Sequence, residues 1–202
     1  MHDLDTPLEA FLKKEKAHPG QIFLRQPVNG QWHHYSWSQA GKEIRAMAAY
    51  LQSLQLPARS CIALVSKNCA HWIMADLAIM LSGHISVPLY PNINVKTLRY
   101  ILDHSESKVL FVGKLDEWDS MKEGVPKDVH CISFPFYGPA GYKKWEDVVV
   151  EQKSEFAAPQ LSLNDLLTIV YTSGTTGNPK GVMLKCRALA FAVTNALKEI
   201  DL

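Results

Sequence analysis

The 202-residue chain is 47% hydrophobic and 20% charged, an ordinary globular composition that argues against intrinsic disorder. Its 21 Lys and Arg residues balance 20 Asp and Glu residues, so no surplus positive charge favours nucleic acid or an anionic membrane surface. The first residues are acidic and polar, and no apolar run approaches the roughly 20 residues that cross a bilayer, so we expect a cytoplasmic protein without a transmembrane segment.

The first predicted element is a short helix that begins at Thr6 and ends at His18-Pro19-Gly20. Thr6 can cap the helix, Pro7 suits its first turn, and Glu9 can reach back to the cap. The predicted apolar face of this helix consists of Leu8, Phe11 and Leu12.

Two strand-like stretches follow, at residues 22–25 and 31–35. The dipeptide Asn29-Gly30 between them is a strong signal for a tight turn, so we expect a small β-hairpin. His33-His34 is interpreted as a solvated strand end.

From Ser36 the pattern alternates between helix and strand. The predicted helices cover residues 37–55, 69–82 and 95–104, and the predicted strands cover residues 60–66, 84–90 and 107–112. The strands are continuous apolar runs, which is typical of a parallel sheet with both faces covered. We therefore expect a layered α/β core in which a mostly parallel sheet is flanked by helices.

The stretch 124–145 is rich in Gly and Pro, which favours an irregular surface excursion over a further long element. A short helix is predicted at residues 145–152 and a strand at Leu166–Tyr171. No clear domain boundary precedes this strand, so residues 1–202 are expected to form a single segment of one domain.

The four cysteines, Cys61, Cys69, Cys131 and Cys186, are widely spaced and contain no Cys-x-x-Cys pair. We interpret them as buried free thiols. Cys69 and His71 resemble half of a metal site, but no second pair with ligand spacing accompanies them.

The most informative segment is 171–182, which holds four Ser or Thr hydroxyls, three glycines and one lysine between two apolar stretches. Glycines let backbone N–H groups approach anionic oxygens, hydroxyls add rotatable donors, and a lysine supplies a full positive charge. These features predict a polyphosphate-binding loop. Its candidate binding residues are Thr172, Ser173, Gly174, Thr175, Thr176, Gly177 and Lys180.

Two known phosphate-binding patterns do not fit this loop. A Walker loop needs Gly before the lysine and a hydroxyl after it, whereas Pro179 precedes Lys180 and Gly181 follows it. The dinucleotide fingerprint fails because Gly174 has no glycine two residues later. A solvated Ser/Thr/Gly turn is the common alternative for a looser string.

The segment Tyr171–Val182 closely resembles the phosphate loop of the adenylate-forming superfamily, which includes acyl-CoA synthetases, luciferases and peptide-synthetase adenylation domains. The segment Gly83–Asn92 is similar to the stretch after the second core helix of that family. Trp37 stands where many members begin their first long helix with an aromatic residue. The resemblance spans most of residues 20–200 and identifies the chain as an N-terminal segment of the AMP-binding large domain.

Two positions bear on the branch of the superfamily. Tyr90 is followed by Pro91, as in fatty-acid-activating members, whereas amino-acid-activating domains tend to carry Asp at this place. The resemblance therefore implies an acyl-CoA ligase. Lys185-Cys186 departs from the family, where Ser or Thr followed by His is common, and Lys185 has the alternative interpretation of a solvated cap.

The resemblance implies that ATP, Mg²⁺ and coenzyme A are used to convert a carboxylic acid, in this branch a fatty acid, into acyl-AMP and then acyl-CoA. Thr172 to Lys180 would hold the ATP phosphates, with Thr172 also reaching Mg²⁺. The small-molecule partners are thus a carboxylate, ATP and CoA; no nucleic acid is expected, and an oligomer is compatible with the sequence.

Later family motifs are absent from this sequence: a Tyr-Gly-x-Thr-Glu segment, a ribose-binding Asp and a lysine of a C-terminal domain. The resemblance accordingly assigns no catalytic residue here, and we expect the 202 residues alone to be inactive. Two alternatives stay open, a truncated non-catalytic phosphate-binding or interaction module and an unrelated kinase or ATPase with a new glycine loop.

Overall fold

A computed structural model describes residues 4–152, 159–172 and 177–199. The helices are α1 Pro7–Ala17, α2 Trp37–Ser53, α3 Ala70–Leu81, α4 Val95–His104, α5 Trp118–Met121, α6 Trp145–Glu151 and α7 Cys186–Glu199. The strands are β1 Ile22–Val28, β2 Gln31–Ser36, β3 Cys61–Val65, β4 Ile85–Leu89, β5 Val109–Val112, β6 His130–Ser133, β7 Lys143–Lys144, β8 Leu166–Thr172 and β9 Lys180–Lys185.

Helix α1 begins with the predicted capping box. The Glu9 backbone N–H donates to the Thr6 hydroxyl at 3.2 Å, and the Thr6 N–H donates to the Glu9 carboxylate at 2.8 Å. Leu8 and Phe11 are buried as predicted. Leu12, one turn after Leu8, is 37% exposed, so the buried part of the predicted apolar face narrows to Leu8 and Phe11.

The predicted hairpin forms from β1 and β2, and both strands are longer than expected. Asn29 and Gly30 have φ of +49° and +79°, the left-handed conformation that a two-residue type I′ turn requires at both positions. His33-His34 lies inside β2 and not at its end, and the His33 ring contacts Phe136 at a centroid distance of 4.9 Å.

Trp37 connects the hairpin to the core. It is the first residue of α2, as predicted, and its ring stacks on Phe23 of β1 at 4.0 Å and meets Phe11 of α1 at 5.5 Å. The N-cap Ser36 and Gln39 form a second capping box that fixes the start of α2. The aromatic residue thus holds α1, the hairpin and α2 together.

The core is a mostly parallel sheet with strand order β7-β6-β5-β3-β4-β8-β9, in which the β8–β9 pair is antiparallel. One face packs against α1, α2, α3 and α6, and the other packs against α4 and α5. The predicted α/β layering is confirmed.

Strand β3 lies between β4 and β5, which follow it in the chain, so the chain leaves β3 in one direction and returns past it. The β3–β4 connection carries α3 on one face, whereas the β4–β5 connection carries α4 on the other. Such a change of direction leaves a crevice at the carboxyl ends of the strands, where α/β proteins commonly bind ligands.

The interpretation of residues 124–145 as an irregular surface excursion was wrong in part. Strand β6 lies within this stretch and pairs in parallel with β5, and Cys131, Ile132 and Ser133 are buried. A strand of four residues between Pro126 and Pro135 is too short to show a hydrophobic period in the sequence. Its burial depends on the neighbouring strand β5.

The cysteines are all free thiols. Cys131 and Cys186 are buried as predicted, while Cys61 and Cys69 are half-buried. Burial raises the pKa of the Cys131 thiol to about 11, so this thiol stays protonated and unreactive at neutral pH.

The part of the chain that the structure describes has neither a metal cluster nor a membrane-spanning helix. No group of three or more His, Cys, Asp or Glu side chains is arranged there to hold a metal ion. None of the helices there is both long enough and apolar enough to span a membrane.

Asp76 of α3 is a carboxyl group placed against the sheet. Burial is the largest influence on this group and raises its pKa to about 6. The folded chain therefore holds this proton more tightly than the unfolded chain does. Between about pH 4 and about pH 6 the stability must fall as the pH rises, because folding then opposes the loss of the proton.

We predict that Asp76→Asn removes this pH dependence. Relative to the variant, the free energy of unfolding of the wild-type chain should fall by on the order of 1 to 3 kcal/mol between about pH 4.5 and about pH 7.5. Urea unfolding curves at both pH values measure the difference. Asp128→Asn, which changes an exposed carboxyl group, is the control and should keep the wild-type slope; equal slopes for wild type and Asp76→Asn would contradict the assignment.

Candidate functional site at the carboxyl edge of the sheet

The structure describes three of the residues predicted to bind phosphate: Thr172, Gly177 and Lys180. The other predicted members, Ser173, Gly174, Thr175 and Thr176, lie outside the described residues. The geometry of the site therefore follows from the two strands that enter and leave the loop.

These strands, β8 and β9, form an antiparallel hairpin in which Thr172 is the direct partner of Lys180. The sequence predicted β8 and an apolar stretch after the loop, but it placed Lys180 in the loop and not at the start of a strand. Directly opposed residues of an antiparallel pair have Cβ atoms about 4.5–5.5 Å apart and project from the same face of the sheet. The hairpin thus brings the Thr172 hydroxyl and the Lys180 ammonium group to the two sides of the loop entrance.

The face on which these two side chains project follows from strand alternation. Tyr171, the neighbour of Thr172, packs into the cluster formed with α4, so Thr172 and Val170 project from the opposite face of the sheet. Val170 lines a crevice at the carboxyl ends of β3, β4 and β8. Thr172 and Lys180 consequently lie on the crevice side of the sheet.

The crevice has a volume of about 260 Å³ and combines apolar walls with a few polar groups. It is lined by Ser66, Asn68, Trp72, Pro88, Leu89, Tyr90, Pro91 and Val170. The sequence analysis used Tyr90 to choose a branch of the superfamily, and the structure places this side chain, 61% exposed, at the crevice. An apolar pocket with a few convergent polar groups is the usual form of a small-molecule site.

Ser66 holds the edge of the crevice together, and the sequence analysis missed it. The Ser66 hydroxyl donates to the Lys67 carbonyl at 2.6 Å and accepts the Lys114 N–H at 2.9 Å, while the Lys67 N–H donates to the Lys114 carbonyl at 2.8 Å. These bonds join the segments that follow β3 and β5. The available signal was a polar residue directly after an apolar strand that ends at the sheet edge.

The charge at the loop entrance is positive. Lys180 is exposed and makes no ion pair with the residues in the described ranges. Lys185, at the other end of β9, is also exposed, and the following Cys186 is buried at the start of α7. This arrangement agrees with the interpretation of Lys185 as a solvated cap.

The opposite face of β8 is anchored to α4. The Tyr171 hydroxyl and His104 Nδ1 are 2.7 Å apart, and the two rings meet edge to face with centroids 5.8 Å apart. Tyr100 stacks on His104 at 5.4 Å. Burial is the largest cause of a raised pKa for the Tyr171 hydroxyl, which therefore keeps its proton at neutral pH. The sequence analysis assigned no role to His104 because it is 67 residues away from Tyr171 in the chain.

The comparison with known families agrees with this architecture. The profile of the family described as AMP-binding enzyme matches residues 11–201. Among curated proteins, long chain acyl-CoA synthetase 2 of Arabidopsis thaliana is 26% identical over 98% of this chain and 33% of its own length. The long-chain-fatty-acid–CoA ligase FadD15 of Mycobacterium bovis is 28% identical over 95% of this chain and 33% of its own length.

Solved structures give the same fold. Acetoacetyl-CoA synthetase from Streptomyces lividans superposes with a TM-score of 0.84 at 20% identity, over 98% of this chain and 33% of that one. The chain thus spans about a third of the length of the relatives that it matches. With a family profile covering nearly all of its residues, the chain belongs to the AMP-binding family of adenylate-forming enzymes.

Proposed function

We propose that the protein carrying this chain activates a carboxylic acid with ATP and transfers the acyl group to coenzyme A. The observation that carries this proposal is the pairing of Thr172 with Lys180, which sets a hydroxyl and a cation at the entrance of the loop, on the crevice side of the sheet. The names of the long-chain acyl-CoA synthetase relatives and the Tyr90-Pro91 pair support a fatty acid as the substrate.

The proposed reaction has two steps. A carboxylate oxygen of the acid attacks the α-phosphorus of ATP, the bond to the bridging oxygen breaks, and pyrophosphate leaves. The thiolate of coenzyme A then attacks the acyl carbon and releases AMP. Adenylation turns a poor leaving oxygen into part of a stable phosphate, which makes the second step feasible.

The chain's own residues would act by electrostatic stabilisation. Negative charge develops on the α-phosphate and on the departing pyrophosphate, so fixed donors and a cation beside them lower the barrier. We assign this role to Lys180 and to the loop residues Thr172, Ser173, Gly174, Thr175, Thr176 and Gly177. The crevice lined by Trp72, Pro88 and Val170 would hold an apolar part of a substrate and exclude water from it.

A Mg²⁺ ion would supply charge neutralisation of the phosphates in this reaction. The Thr172 hydroxyl is a hard oxygen donor of the kind that Mg²⁺ accepts, and it lies on the side of the sheet where the phosphates are proposed to bind. Because Mg²⁺ is usually bound through only one or two protein groups together with substrate phosphates, a single hydroxyl fits this role.

We further propose that residues 1–202 form one unit of the large domain. The sheet runs without interruption from β7 to β9, and the hairpin that carries the loop pairs directly with β4 through β8. The two strands that flank the loop thus belong to the same sheet as the crevice.

Lys180→Ala in the protein carrying this chain should lower the rate of ATP–pyrophosphate exchange at least about tenfold, equivalent to about 1.4 kcal/mol of transition-state stabilisation. Lys185→Ala is a matched control, because Lys185 is an exposed lysine at the other end of the same strand. The control should keep wild-type exchange. A wild-type rate for Lys180→Ala, or an equal loss in both variants, would contradict the role given to Lys180.

The 202-residue chain on its own should show no ATP–pyrophosphate exchange with any carboxylic acid. It supplies a phosphate loop and a small crevice, but the motifs that the family uses for ribose and metal binding are not in this sequence. Radioactive pyrophosphate exchange with a panel of acids of different length measures this. Exchange above the protein-free background would show that these 202 residues suffice for adenylation.

A further inference from the structure

We infer that His104 is a positioning residue for the phosphate loop and acts through Tyr171. The inference rests on the proposed function, because it concerns the site at which the triphosphate would bind. His104 itself lies on the α4 face of the sheet, away from the crevice, so it touches neither substrate nor the reacting atoms.

The packing around Tyr171 fixes the orientation of its ring. Its hydroxyl is 2.7 Å from His104 Nδ1, and the residue is 4% exposed. The Tyr100 ring stacks on the His104 ring at an interplanar angle of 29°. A ring held at its edge by a hydrogen bond and enclosed by neighbours has one accessible orientation.

The Tyr171 ring also contacts strand β9. Tyr171 is the direct partner of Gly181, and a Cβ atom built on Gly181 would lie 3.2 Å from Cζ of Tyr171 and 2.8 Å from Cγ2 of Ile169. The Tyr171 ring therefore occupies the space that a side chain at 181 would need. Glycine at this position lets one aromatic ring cover both strands of the hairpin.

Tyr171 and Gly181 stand next to the two residues at the ends of the loop. Tyr171 is adjacent to Thr172, and Gly181 is adjacent to Lys180, so one ring fixes the backbone at both ends of the loop. Displacements of about 1 Å at groups that position a substrate can lower rates by about two orders of magnitude. The His104–Tyr171 bond would thus set the separation of the Thr172 hydroxyl and the Lys180 ammonium group.

His104 can be tested with two variants of similar size. The side-chain amide introduced by His104→Asn can place a polar atom near the position of Nδ1, whereas His104→Leu places a methyl group there and removes the bond. Both variants lose the imidazole ring and its contact with Tyr100, so the comparison between them isolates the hydrogen bond. In the protein carrying this chain, His104→Leu should lower kcat/KM for ATP in pyrophosphate exchange by about fivefold, the factor expected for a typical net hydrogen bond.

His104→Asn should stay within about twofold of the wild type. Tyr171→Phe, which keeps the ring and loses the hydroxyl, should match His104→Leu, and the double variant should be no worse than either single one, since both changes remove the same bond. Arg99→Gln on the exposed side of α4 is the control and should behave as wild type. Thermal melting of every variant separates a loss of folded protein from a loss of rate.

Equal activity of His104→Leu and His104→Asn at equal stability would overturn the inference, as would additive losses in the double variant. If His104→Leu does not fold, Tyr171→Phe decides the question alone. Failure of the proposed function has a different signature, namely unchanged exchange in Lys180→Ala. Failure of the positioning role alone would appear as wild-type exchange in His104→Leu together with lost exchange in Lys180→Ala.

Discussion

The antiparallel pairing of β8 with β9 is the interaction on which the site depends. It reverses the chain after the carboxyl end of a parallel strand and returns Lys180 to a position beside Thr172. Without this return, a lysine eight residues after a threonine has no defined relation to it. The pairing also decides the face on which Lys180 projects, since a shift of register by one residue would turn Lys180 to the face opposite Thr172 and away from the crevice.

The parallel part of the sheet supplies the setting for this hairpin. Strand β3 lies between β4 and β5, and the helices α3 and α4 lie on opposite faces of the sheet. The crevice opens at the carboxyl ends of these strands. Ser66 and the neighbouring backbone tie the segments after β3 and β5 by short hydrogen bonds and so keep the edge rigid. The crevice and the loop entrance are therefore parts of one edge, held by these hydrogen bonds on one side and by the hairpin on the other.

The two faces of the β8–β9 hairpin differ in what they contact. Thr172 and Lys180 are exposed on the crevice side, while Tyr171, whose ring covers Gly181, packs against α4 on the other side. A binding loop of glycines and hydroxyls has little apolar surface of its own with which to hold its position. Under the proposed function, the packing of Tyr171 on the α4 face holds both ends of the loop, while the face with Thr172 and Lys180 stays polar and open.

The sequence alone determined the elements whose signals are local. The capping box at Thr6, the Asn29-Gly30 turn and the alternation of helices and apolar strands all come from neighbouring residues, and the structure confirms each of them. The composition of residues 171–182 likewise pointed to phosphate chemistry and to the family, because glycines, hydroxyls and a lysine act through their own groups. Only the tertiary structure decided the relations between distant segments. The burial of β6, the strand that begins at Lys180, and the bond from His104 to Tyr171 depend on which elements the sheet order brings together, and no period or motif within a single segment records that order.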